Sequence, residues 1–112
     1  MSKQSKPALK LFAGKRAYAR IRANGLRPDD VKAVFGASGA AKWLAIARLD
    51  EAVFGQWMSE AKHSLPVYGT SIGAIKLAAA VQPDAGQRLQ SLARAYIDQR
   101  YDGRPTADAI VA

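Results

Sequence analysis

The spacing of apolar residues changes several times along the chain, and each change marks an element. From 8 to 24, Leu9, Leu11, Phe12, Tyr18 and Ile21 stand among lysines and arginines. The 11, 18, 21 spacing fits one face of a helix that stops at Asn24-Gly25. Pro28-Asp29-Asp30 punctuates, and Val31-Lys-Ala-Val-Phe35 alternates as a strand does before the turn Gly36-Ala37-Ser38-Gly39. From Ala40 to about Trp57 the residues Leu44, Ala47, Leu49, Val53, Phe54 and Trp57 recur at three- and four-residue steps, which predicts a helix.

Leu65-Pro-Val-Tyr68 predicts a second short strand, followed directly by Gly69-Thr-Ser-Ile-Gly73. Residues 74–81 are apolar almost all round, as in a helix buried in a larger core, and Pro83 ends the run. Asp84 with Gln87 reads as a capping box for a last helix, with Leu89, Leu92, Ala93, Tyr96 and Ile97 facing inward. The predicted order is helix, strand, helix, strand, helix, helix. Its centre, 31–68, is one βαβ unit with parallel strands, so the expected class is α/β.

Composition adds limits. The chain has 112 residues, 49% of them hydrophobic and 23% charged, with no Cys. That argues against disorder, disulfide scaffolds and thiolate metal sites, and the single His63 leaves no histidine cluster for zinc. No metal or cofactor is therefore expected. The length is short for an α/β enzyme that must cover both faces of a parallel sheet.

Charge is uneven. The formal net charge is +8, yet residues 1–48 hold eleven basic and two acidic side chains, against six and seven in 49–112. The sequence thus divides into a basic, helical segment at 1–30 and an α/β segment at 31–112. Lys10, Lys15, Arg16, Arg20 and Arg22 would draw anionic lipid headgroups or nucleic acid; the alternative is a merely solvated face. An anionic membrane surface is the expected partner of the two, and nucleic acid is not. No apolar stretch has the length of a secretory signal core or a membrane span, so a cytoplasmic protein, peripheral to a membrane at most, is expected.

Two glycine-bearing junctions carry the candidate chemistry. Gly69-Thr70-Ser71-Ile72-Gly73 is a G-x-S-x-G between a predicted strand and a predicted helix. In that setting a sharp turn exposes Ser71 at the end of the sheet as a nucleophile for an acyl carbonyl. Gly69 and Gly73 are needed because a Cβ would collide with nearby backbone. The plainer reading is a turn that only starts the following helix.

Gly36-Ala37-Ser38-Gly39-Ala40-Ala41-Lys42 is the second junction. A phosphate-binding P-loop would need glycine at Ala41 and a hydroxyl at Trp43, and a dinucleotide fingerprint meets Lys42 at its third glycine. An oxyanion hole fits better, because a neighbouring βα junction in the same parallel sheet carries the serine.

In this pairing the sequence resembles the patatin-like phospholipases, which place a Gly-rich oxyanion loop after one strand and G-x-S-x-G after the next. The match runs from about Val31 to Val81. The resemblance implies a three-layer α/β sandwich and a serine acyl hydrolase acting on a lipid or other acyl ester. Ser71 would be the nucleophile of a Ser-Asp dyad, amides of Gly36, Ser38, Gly39 and Ala40 would form the oxyanion hole, and Lys42 would match the family's basic residue after the loop. Trp43 departs from the usual glycine, and Ala37-Ser38 from a glycine run. The family's Asp lies far downstream in Asp-Gly-Gly or Asp-Gly-Ala; here Asp102-Gly103-Arg104 reads as a helix-ending turn, and His63 precedes the serine. With the apolar run at 106–112, this predicts the N-terminal part of a longer hydrolase, or a truncated gene product, inactive alone. The alternative is a non-catalytic module that binds an anion or nucleotide at 36–42.

Overall fold

The computed structural model describes residues 5–99 together with positions 103 and 107. Asp102 and, apart from Ala107, the apolar run at 106–112 lie outside the described residues. The elements are α1 (Lys15–Asn24), β1 (Val34–Gly36), α2 (Ala47–Ala52), β2 (Val67–Gly69), α3 (Ile72–Ala80) and α4 (Ala85–Asp98). The protein is mixed α/β, built around a small two-stranded sheet.

β1 and β2 pair in parallel, with Val34 opposite Val67, Phe35 opposite Tyr68 and Gly36 opposite Gly69. Both strands are shorter than the alternation predicts. At the start of β1, Val31 closes a 3₁₀ turn at Pro28–Asp30 by donating its amide to Pro28 O. At the start of β2, Pro66 has no N–H to give a ladder, although its carbonyl accepts the Val34 amide at 3.1 Å.

The crossover is helical throughout but not one α-helix. It starts as a 3₁₀ helix (Ala40–Ile46), becomes α2, widens into a π turn (Val53–Trp57) and closes with a 3₁₀ turn (Met58–Glu60). The widening coincides with a close approach of α4. A Cβ on Gly55 would come within 2.9 Å of Gly86 Cα, so Gly55 sets how near the helices sit.

The core consists of Trp43 from the crossover, Ile72 and Leu77 from α3, and Ala85 and Leu89 from α4. Trp43 meets Tyr96 edge-on, with ring centroids 5.9 Å apart, a geometry that matches ring edge to ring face. The Trp43 ring is the crossover's anchor on α4, which accounts for a bulky residue directly after Lys42.

Other expectations need correcting. α1 begins at Lys15 rather than near residue 8, because Gly14 occupies its N-cap and the apolar residues before it find nothing to pack on. No residue of α1 is buried. Asp84 makes no side-chain cap, and its backbone carbonyl accepts the Arg88 amide instead. A carboxylate cap forms elsewhere, where Asp30 Oδ2 accepts the Arg27 amide at 3.0 Å. α3 buries one face only, leaving Ile75 more than half exposed, and Ile97 at the end of α4 also faces outward. Among the described residues, no helix is long and apolar enough to cross a membrane.

Candidate functional site

The register puts Gly36 and Gly69 side by side at the carboxyl ends of their strands. The loop at 37–39 and the turn at 70–71 therefore leave the sheet from one edge. The Thr70 amide donates to Gly36 O at 3.1 Å and ties the two exits together.

Glycine is required here by contact rather than by conformation. A Cβ on Gly73 would overlap the Gly36 carbonyl and come within 2.8 Å of Ala37 O, while one on Gly36 would reach Gly73 O at 2.8 Å. A Cβ on Gly69 would lie 2.6 Å from Ala74 Cα and N. The first turn of α3 thus packs backbone to backbone on the end of β1, and the Gly-rich loop lies against the serine turn. Gly36 itself is the last residue of β1, so its visible part is this close approach.

Ser71 is the N-cap of α3, with φ 52° and ψ −127°. Among the described residues, only Ala40 and Ser71 have positive φ without being glycine, and Ala40, at 47°, opens the helix after the Gly-rich loop. Both strained residues therefore stand in the two loops at this one sheet edge. Such conformations cost about 1–3 kcal/mol each and persist where the surroundings impose them.

The Ser71 hydroxyl is exposed and makes no hydrogen bond among the described residues. In the two loops several backbone donors are unused. Gly73 and Ala74 donate to Thr70 O and Ser71 O, whereas the amides of Ile72, Ser38, Gly39 and Ala40 find no acceptor among the described residues. An α-helix leaves its first amides unpaired, and those of α3 begin at this serine. Lys42, which follows the loop, is exposed, and its amide donates to Gly39 O. Beside the turn, Phe35 and Tyr68 stack at 5.2 Å with both rings more than half exposed. They line a shallow recess that reaches Gly36, Ala37, Gly69 and Thr70.

His63 belongs to the opposite edge of the sheet. Its Nε2 lies 2.8 Å from Val31 O and its Nδ1 3.3 Å from Asp29 Oδ1, both before the strands begin. The Lys62 amide also donates to Asp29 Oδ1, at 2.8 Å. That amide, with His63 adding to it, holds the Asp29 carboxyl below its ordinary value despite some desolvation. The histidine fastens the start of the sheet.

A scan of protein-family models, a search of curated proteins and a search of solved structures each returned no match. The site stands on its own geometry.

Sequence reasoning missed one pair near this region. Lys76 Nζ lies 3.2 Å from Asp50 Oδ2 and 3.4 Å from Oδ1, with both side chains about nine-tenths buried. Only the Oδ1 contact has hydrogen-bond geometry, so Oδ2 is left without a hydrogen bond. Desolvation pushes the Asp50 carboxyl above its ordinary value, and Lys76 offsets part of that. The signal was present in the sequence: Lys76 is the sole charge in an otherwise apolar run at 72–81.

Proposed function

We propose that Ser71 is the nucleophile of a serine acyl hydrolase and that this chain carries the oxyanion-loop and elbow half of a patatin-like site. The observation that supports this most is the backbone of Ser71, held at φ 52° and ψ −127° between β2 and α3. A turn whose only task was to start a helix would relax to an ordinary cap conformation. A strained strand-to-helix serine with its hydroxyl exposed is what nucleophilic attack on a carbonyl needs.

In this reading the Ser71 oxygen attacks an acyl carbonyl, and the carbonyl oxygen gains negative charge. The free amides of Ile72, Ser38, Gly39 and Ala40 supply donors for that charge on the side of the loop. The apolar recess floored by Phe35 and Tyr68 suits the acyl chain, and a lipid ester is the proposed substrate class. The proton of Ser71 needs a base, and none hydrogen-bonds the hydroxyl among the described residues. We assign that role to an aspartate, as in a patatin-like Ser-Asp dyad. The wider patatin-like sandwich is part of the same proposal.

The test is covalent labelling of the 112-residue chain with a fluorophosphonate, followed by peptide mapping. Slow modification confined to Ser71 and abolished in Ser71→Ala is expected. Ester turnover should fall about 10⁴-fold short of a serine hydrolase whose nucleophile is hydrogen-bonded to a base, since none of the described residues makes that bond to Ser71. Label spread over the other serines, or undiminished in Ser71→Ala, would refute the assignment. The same free amides also fit a bound anion without chemistry. Nucleotide-dependent thermal stabilisation with no labelling would favour that reading.

A further inference from the structure

The N-terminal arm has properties that the site does not use. From Lys6 to Arg27 the chain carries seven basic side chains and no acidic one. Among the described residues, the arm's ion pairs are Arg20–Asp30 at 3.0 Å and Arg27–Asp30 at 3.8 Å. They fasten its end to the 28–30 turn and leave Lys6, Lys10, Lys15, Arg16 and Arg22 without a carboxylate.

The apolar residues of the arm are equally unpartnered. Leu9 is 55% exposed, Leu11 65%, Phe12 92% and Tyr18 54%, and no residue of α1 is fully buried, with Ile21 half-buried. On α1 the apolar Ala17, Tyr18 and Ile21 occupy one arc, with Lys15, Arg16, Arg20 and Arg22 on the other. An arm that served only to solvate the surface would not expose Leu9, Leu11 and Phe12 together.

We propose that residues 5–24 form a surface anchor for bilayers containing anionic lipid. Lysine and arginine meet the headgroup charge, and Phe12, Leu11 and Tyr18 enter the boundary between headgroups and acyl chains. Nucleic acid would satisfy the cations alone and leave the exposed apolar residues with no role, so the combination favours lipid. The inference does not depend on the chemistry assigned to Ser71.

The test is co-sedimentation of the full chain with vesicles of phosphatidylcholine, alone or mixed with phosphatidylglycerol, and a parallel titration with duplex DNA. Binding is expected to the mixed vesicles only and to weaken as salt is raised. Lys15→Glu with Arg16→Glu should lower affinity at least about tenfold. Acidic residues in the first turn favour a helix, so this loss does not come from melting α1. Leu11→Ser with Phe12→Ser should also lower affinity, by about tenfold, with charge unchanged. Ser71→Ala should bind as the parent does, which separates this inference from the nucleophile assignment. Equal binding to both vesicle types, indifference to Leu11→Ser with Phe12→Ser, or tighter binding to DNA at the same salt would each overturn it.

Discussion

Ser71 carries a conformational cost that can be measured apart from any chemistry. At φ 52° an L side chain is crowded, and removing the Cβ removes the crowding. Ser71→Gly should therefore raise stability by about 0.5–2 kcal/mol, after allowing for the extra freedom glycine gives the unfolded chain. Ser71→Ala keeps the Cβ and should not. Denaturant unfolding of both variants checks this, and equal stabilities would show that the turn is unstrained. The serine was legible in the sequence because two glycines in a fixed spacing imply that backbone must pass where a Cβ would stand. The Asp29–His63 contact was not, since 34 positions separate its partners and neither stands in a motif.

The elements meet at a buried ion pair between α2 and α3, where Asp50 and Lys76 sit in a medium that penalises both charges. Removing one partner strands the other. Asp50→Ala is expected to cost about 3–5 kcal/mol, whereas Asp50→Leu with Lys76→Met should recover most of that loss. A thermal-unfolding series of the single and double variants decides it, and a double variant as unstable as Asp50→Ala would contradict the account. At this scale the periodicity located the strands and the later helices to within a few residues, but started α1 near residue 8 instead of at Lys15. It did not show that the crossover alternates between 3₁₀, α and π hydrogen bonding, since a three- and four-residue apolar stripe is compatible with each. It also placed Ile97 and all of α3 inside, because hydrophobicity marks what a helix is able to bury and not what a neighbour covers.

Over the whole molecule the acids pull stability in opposite directions with pH. Asp29 is held below its ordinary value of 3.8 chiefly by the Lys62 amide, and Asp30 chiefly by the Arg27 amide, with Arg20 adding to the latter. Their contribution is complete above 3.8 and is lost as pH falls through their folded values. Asp50, raised by burial, has the reverse sign: its contribution is complete below 3.8 and is lost as pH rises through its folded value. The denaturation midpoint should drop on acidification below 3.8, and Asp29→Asn with Asp30→Asn should flatten that drop. An acid limb as steep in this variant as in the parent would show that other groups carry it. The apposition of Gly36 and Gly73 has a further consequence, for how such a protein changes over generations. With no room for a single methyl group between the strand end and the helix, the two loops form one mechanical part. Residues 37–42 and Ser71 can vary in their side chains, but neither Gly36 nor Gly73 tolerates replacement without pushing the loops apart. Divergence at this edge is confined to chemistry and closed to geometry.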